Sequence, residues 1–376
     1  MCPGGKNRER RESVFYDFFE GLTHLGWKLS LELGRNEVAG LDIGSFTVKL
    51  VGLRKDDAGY AVTAAGIADI APSGDDSNLR RINTVRAIRE CLGLTGIKTR
   101  LAVCGVSGPE VAVRDFRFPS LPQEEIEGAI LLEAAQVCPF NTEDSAVDWQ
   151  LIPDGGGSVA GILVAATNSL IRRKTQPAKE ASLDCVLMDV DGLALLNCFS
   201  ELEKAEPGQT IAVLNIGSSY TTLAIMGDNR WPFIRDIIYA GNDIVRQIAD
   251  ETDMSADAVE EILFADSTEA QTKLHDSLEK ACKKLIVDVT ETSRYYKTQE
   301  KTAAFEKLFV CGSFALVKGF VELLSSQLPV KALLWNPFEK MRCDVGRSHR
   351  AVLQRNILAK NGPAMVVACG LAMRSI

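Results

Sequence analysis

Two short stretches hold the residues best suited to chemistry. The first is Val38-Ala39-Gly40-Leu41-Asp42-Ile43-Gly44-Ser45-Phe46-Thr47-Val48-Lys49-Leu50, an apolar strand that breaks at Asp-x-Gly-Ser and resumes as alternating β-formers around a lysine. That pattern predicts a hairpin with a small polar turn. A glycine in the turn lets the backbone approach a ligand closely, so that exposed N–H groups face phosphate oxygens. Ser45 and Thr47 add hydroxyls and Lys49 adds a cation, while Asp42 is a carboxylate suited to hold a metal ion through water. Taken alone, an Asp-x-Gly hairpin is also an ordinary turn. The second stretch changes the weighting. Ile211 to Leu223 aligns with the first at one constant offset, residue 212 against residue 39, or 173 residues. Under that offset Ala39, Leu41, Ile43, Gly44, Ser45 and Leu50 meet identical residues, and Asp42 meets Asn215. A repeated strand–turn–strand unit implies two similar half-molecules. Two facing hairpins, the second contributing Asn215, Gly217, Ser218 and Thr221, would clamp one phosphate chain from both sides.

Composition narrows the alternatives. The 376 residues are enough for two domains or one large bilobed one. A net charge of −8 argues against a nucleic-acid surface, which needs a basic patch. Ten cysteines are scattered without a C-x-x-C, and most lie in apolar contexts, as small core residues of a reducing cytosol do. Three distant histidines, His24, His275 and His349, offer neither a His-built metal site nor a catalytic triad. The apolar run from Ala364 to Met373 is too short to span a bilayer, and the basic N-terminus has no apolar signal-peptide core. The expected location is the cytoplasm.

The elements that must position these residues follow in chain order. Residues 1–36 read as an appendage: a polar, basic start, then Phe15, Phe18, Phe19, Leu22, Leu25 and Trp27 along a helix face. Such a face either docks on the body or lies in a membrane interface, giving a peripheral membrane contact. A first lobe is expected over 37–205, with an inserted subdomain at about 79–165. Alternation at 111–118 and 145–152 predicts strands, and Ile126, Ile130, Ala134 and Val137 share one helix face. Asp189 and Asp191 are candidates for the cleft, with helix capping the other reading of Asp191. Glu206-Pro207-Gly208 marks a hinge to a second lobe over 206–345, and 346–376 is expected to return to the first lobe. A strand from Leu308 to Cys311 ends in Gly312-Ser313 before a helix.

The two hairpins, with Phe309-Val310-Cys311-Gly312-Ser313-Phe314-Ala315, resemble the three nucleotide motifs of the actin-like ATPase superfamily. Within it the chain is most similar to the PilM family of type IV pilus assembly proteins. The resemblance is carried by Leu132-Glu133-Ala134-Ala135-Gln136-Val137-Cys138-Pro139-Phe140, Val186 to Leu195, Trp335-Asn336-Pro337-Phe338 and Ala368 to Arg374. It covers about Glu37 to the C-terminus. It implies an α/β, actin-like (ribonuclease H-like) duplicated fold of two lobes. It implies ATP and Mg²⁺ in the cleft, with Gly312 and Ser313 against the adenosine and Asp42 toward the metal. It also implies a cytoplasmic adaptor that grips the tail of an inner-membrane PilN-like protein, beside other pilus or type II secretion assembly proteins. The alternatives are an active ATPase, a membrane-associated filament former resembling the cell-division protein FtsA, and a kinase of the same fold. Three departures bear on activity. Asn215 stands where the second phosphate loop usually carries Asp, Cys311 replaces the first glycine of a pair, and bulky Phe314 sits near the adenosine turn. Nucleotide binding with weak or absent hydrolysis is the expectation.

Overall fold

A computed structural model of the chain describes residues 37–152, 157–203, 208–227, 231–265, 273–300 and 305–374. The expected appendage and the expected hinge residues Glu206 and Pro207 lie outside them. The first lobe starts with a meander, β1 (Ala39–Ile43), β2 (Thr47–Asp56) and β3 (Gly59–Asp69). Helix α1 (Ser77–Thr95) follows, started by the Asp76 carboxylate, which accepts from the N–H groups of Asn78 and Leu79, and ended by Gly96 in the left-handed region. Strand β4 (Leu101–Val106) then lies parallel to β1. After an excursion the chain returns through α3 (Asn168–Glu180) to β8 (Asp184–Val190), parallel to β4, and leaves by α4 (Asp191–Leu202).

The second lobe repeats this order. Its meander is β9 (Ile211–Ile216), β10 (Thr221–Met226) and β11 (Pro232–Ile237), and β12 (Lys307–Cys311) and β13 (Lys331–Leu334) add in parallel beside β9. The sheets read β14-β3-β2-β1-β4-β8 and β11-β10-β9-β12-β13. Apart from the two-residue β14 (Arg342–Cys343), the strand orders are the same: an antiparallel triplet with two parallel strands beside its first member. This is the duplicated actin-like α/β fold. Helices α5 (Gly241–Thr252), α6 (Ala256–Phe264), α7 (His275–Glu300) and α8 (Phe320–Gln327) belong to this half. Each sheet carries its own buried core, around Leu41, Leu50, Ile88 and Leu195 in the first lobe and Leu214, Ile216, Leu285 and Phe320 in the second.

After α9 (His349–Asn361) the chain closes with α10 (Val366–Ala372) against β1 and α4. Glycines allow the contact: a Cβ on Gly40 would lie 1.9 Å from the Ala368 carbonyl oxygen, and one on Gly370 would lie 2.0 Å from that of Ala194. The return to the first lobe begins earlier than residue 346, because β14 pairs with β3.

The insertion is narrower than 79–165. Helix α1 packs on β2 and β3, and β4 sits between β1 and β8, so both belong to the main lobe. The inserted unit is β5 (Val111–Phe118), α2 (Gln123–Val137), β6 (Ser145–Leu151) and β7 (Val159–Thr167). Its sheet has the order β5-β7-β6, and a small core of Phe116, Ile130, Ala134 and Leu163 joins it to α2. Val111 pairs with Ala166, so the unit leaves and re-enters the lobe at one point. Gly66 lies within β3, where a Cβ would come 2.9 Å from Thr95 of α1.

Candidate functional site

The two hairpin turns have the same internal bond. The Gly44 N–H donates to the Thr47 carbonyl at 3.0 Å, and the Gly217 N–H donates to that of Tyr220 at 3.0 Å. Each glycine amide is thus used to close its turn. The next two amides, of Ser45 and Phe46 and of Ser218 and Ser219, lie beyond the strand ladders. They are the backbone donors suited to an anion.

Ten expected residues meet in one narrow cleft of about 70 Å³: Asp42, Gly44, Ser45, Thr47, Lys49, Asn215, Gly217, Ser218, Gly312 and Ser313. Thr221 is not among them. It is fully buried, and its hydroxyl donates to the Tyr239 carbonyl at 2.8 Å. Side chains alternate along a strand, and the neighbouring Thr222 lines the cleft instead.

Register gives the chemistry of each hairpin. Asp42 lies opposite Lys49, and their side chains form an ion pair at 3.1 Å. At the equivalent positions Asn215 lies opposite Thr222. The second hairpin therefore presents an amide and a hydroxyl where the first presents two charges. Its nearby carboxylate comes from the next strand: Asp236, opposite Thr222 in the β10–β11 register, accepts from the Thr222 hydroxyl at 2.6 Å and from the Gly108 N–H at 2.6 Å. Burial raises the Asp236 carboxyl pKa against these two bonds.

Asp191 also lines the cleft. It does not cap α4, whose N-cap is Val190 without a side-chain bond. Its Oδ1 is buried without a hydrogen-bond partner, and Gly105 leaves room for it, since a Cβ there would lie 2.1 Å away. Burial, and then the Asp42 charge, push the Asp191 carboxyl up to about 7, against Lys174 and a bond from Ser107. Asp189 faces elsewhere, in a buried 2.6 Å ion pair with Arg374. Cys311 is fully buried, with its thiol 3.9 Å from the Asn215 Oδ1 and its pKa raised by burial. Gly312 takes φ +97°, and a Cβ there would meet the Ile216 backbone at 2.3 Å. Phe314 is core, edge-on to Phe320 with centroids 5.0 Å apart.

A second cavity, of about 620 Å³, opens beside the cleft and shares Asp42, Gly44, Ser45, Ser107, Asp191 and Tyr220 with it. Its walls are the start of α1, most of α3 from Ser169 to Pro177, and Pro109 and Glu110 at the entry to the insertion. Both helices send cations to the first hairpin. Arg80 donates to the Ser45 carbonyl at 2.9 Å, and Lys174 donates to that of Ile43. Sequence reasoning missed Arg80, Ser107, Lys174 and Asp236, which carry no motif, and Tyr220, which lies inside the second hairpin stretch but differs from its counterpart Thr47.

The cleft fits a phosphate chain with a hard cation. It offers paired turns, hydroxyls, one lysine, and an orphaned carboxylate oxygen beside Asp42. Among the described residues no cluster of three or more His, Cys, Asp or Glu side chains is set to hold a metal alone. A cation here would thus keep waters or phosphate oxygens, as Mg²⁺ does.

Comparison with known proteins agrees with this architecture. A solved PilM–PilN type IV pilus biogenesis complex matches with TM-score 0.75 and 24% identity, covering 91% of this chain and 99% of that one. The ethanolamine utilization protein EutJ from Carboxydothermus hydrogenoformans matches with TM-score 0.53 and 13% identity, over 91% and 93% of the two chains. The cell division protein FtsA of Bacillus subtilis (strain 168) is 24% identical over 247 residues, 58% of this chain and 55% of FtsA, so the match spans about half of that curated relative. The model of the type IV pilus assembly protein PilM family matches residues 40–376, nearly the whole chain, and the chain belongs to that family.

Proposed function

We propose that this chain is the ATP-binding cytoplasmic adaptor of a type IV pilus assembly machine, gripping the cytoplasmic tail of an inner-membrane PilN-like partner. The observation that carries the proposal is the junction of two cavities at one hairpin. The narrow cleft suits phosphates, the wide one suits an extended chain, and both are lined by Asp42, Gly44 and Ser45. Family membership supports the machine, and the PilM–PilN complex supports the kind of partner. No helix among the described residues is long and apolar enough to cross a membrane.

When bound, Mg²⁺·ATP supplies the phosphate chain and the hard cation. Asp42 is the residue to hold that cation, with Lys49 balancing its charge. The amides of Ser45 and Ser218 and the hydroxyls of Ser45, Thr47 and Ser218 orient phosphate oxygens. Gly312 and Ser313 face the adenosine side. Asp191 holds or releases a proton at a carboxylate whose pKa lies near neutrality. Asn215 brings no charge, so turnover in the isolated chain is expected to be slow.

The tail is assigned to the wide cavity and the adjoining insertion. Extended peptides bind such grooves by main-chain hydrogen bonds, with side-chain pockets setting specificity. Excising 111–166 joins ends that are already paired and leaves the α1–β4 framework intact. A PilN-like tail peptide of roughly ten residues, enough to span about 30 Å extended, should bind the full chain in calorimetry and bind at least about tenfold more weakly after the excision, which removes the insertion and leaves the lining of the wide cavity in place. A fluorescent ATP analogue should still bind the excised form. Peptide affinity unchanged by the excision would remove the insertion from the partner site.

A further inference from the structure

The insertion touches the second lobe where β5 runs beside β11. At one end the Gly108 N–H donates to Asp236 Oδ2. At the other the Arg117 guanidinium lies over the Trp231 ring, 5.9 Å from its centroid. The Gly108 end is the more constrained. Gly108 sits at φ +96°, and a Cβ there would lie 3.0 Å from the Tyr220 ring. Only a glycine fits against that aromatic face without strain. Tyr220 is the last residue of the second phosphate turn, where its carbonyl accepts from Gly217, and Thr222 two residues on is tied to the other oxygen of Asp236. One carboxylate thus joins the second phosphate hairpin to the loop that enters the insertion, and the same loop, through Ser107, lines both cavities.

We propose that Asp236 is a latch that transmits occupancy of the phosphate cleft to the inserted subdomain. The proposal rests on the nucleotide reading above and deepens it, because it names how that site would act on the partner-binding side. A ligand between the hairpins meets Tyr220 and Ser218. Any shift of that turn moves Thr222, then Asp236, then Gly108, and with it the start of β5. Coupling of this kind is reciprocal, so a tail seated by the insertion would alter nucleotide affinity by the same factor.

Hydrogen–deuterium exchange on the full chain tests the latch, with Mg²⁺ and a non-hydrolysable ATP analogue as the probe. In the wild type the analogue should slow exchange at 44–46 and 217–219 and also change exchange across 108–118. In Asp236→Ala the hairpin footprint should remain and the response across 108–118 should vanish. Without nucleotide, the same variant should exchange about tenfold faster at Gly108, as expected from losing a charge-assisted hydrogen bond, with 48–53 unchanged. Asp236→Asn keeps the side-chain volume and one acceptor, and should show a reduced response should the alanine variant not fold. A footprint on both hairpins with 108–118 unmoved in the wild type, or moved equally in the variants, would overturn the latch. No footprint on either hairpin would overturn the nucleotide reading itself.

Discussion

The two phosphate hairpins share a backbone and differ in what holds them. In both, a glycine N–H closes the turn onto a carbonyl three residues on. Around the first, three cations join one backbone bond: Lys49 pairs with Asp42, Arg80 and Lys174 bind the carbonyls of Ser45 and Ile43, and the Ile70 N–H donates to the Phe46 carbonyl at 2.7 Å. Around the second, the backbone does the holding. The N–H groups of Gly241 and Asn242, at the start of α5, donate to the carbonyls of Gly217 and Ser218 at 3.0 and 2.9 Å. The charge also moves, from Asp42 on the hairpin itself to Asp236 on the next strand. Duplication thus kept the turn that presents amides to an anion, and divided the remaining duties. The first hairpin carries the charge for a cation and borders the wide cavity. The second is neutral at its tip and ties the lobes together. The two loops therefore answer differently to substitution.

The largest effect is expected at the second hairpin's support. Gly312→Ala would place a Cβ 2.3 Å from the Ile216 carbonyl at a backbone angle of +97°. A stability loss of ~3 kcal/mol or more should follow, from strain plus the forced shift of β9, read as a lowered urea midpoint. Next is the first hairpin's ion pair. The Lys49 and Asp42 side chains are 10% and 13% exposed, so Lys49→Met leaves a largely buried carboxylate unpaired. A loss of about 2 kcal/mol is expected, between the costs of breaking buried and exposed pairs. The corresponding change on the second hairpin, Thr222→Val, removes a single hydrogen bond from a hydroxyl to the Asp236 carboxylate and should cost about 1.5 kcal/mol. Equal losses in the two variants would remove the contrast.

One further effect is read as a slope with pH rather than as a loss at a single pH. The Asp191 carboxyl is raised from 3.8 to about 7 in the folded chain. Between those values the folded state binds the proton and the unfolded state does not. Stability therefore falls as pH rises through that window and levels above it. Asp191→Asn should flatten this part of the urea-midpoint curve and lie above wild type at pH 8. Equal slopes in the wild type and Asp191→Asn across the window would show that Asp191 is ionised when folded.

The duplicated fold was legible because the repeat is local. Six identities at one offset fall on two short hairpins, and equal strand orders in the two sheets follow from them. Eight of the ten cleft residues were legible for the same reason, and Gly312 and Ser313 through the third motif at 309–315. What escaped was either a matter of parity or of distance. Thr221 and Thr222 are both threonines, and only the register with Asn215 shows which one shares its face. Arg80, Lys174 and Asp236 reach the site from helices and strands whose own sequences need only a solvated or half-buried polar residue there. Asp191 was legible both as a cleft residue and as the cap of α4, and Gly105 on the neighbouring strand, which leaves room for its carboxylate to turn into the cleft, accounts for the first. The insertion was drawn too wide because α1 and β4 have the same patterning as its own helix and strands.

The most direct test of the account compares the hairpins as ligands. Affinity for a fluorescent ATP analogue with Mg²⁺ should fall at least about tenfold in Asp42→Ala, a loss of ~1.4 kcal/mol. It should fall by a smaller factor in Asn215→Ala, and removing Mg²⁺ should cost the Asp42→Ala variant less than it costs the wild type. Unchanged affinity in Asp42→Ala would mean that the first hairpin is a turn and nothing more.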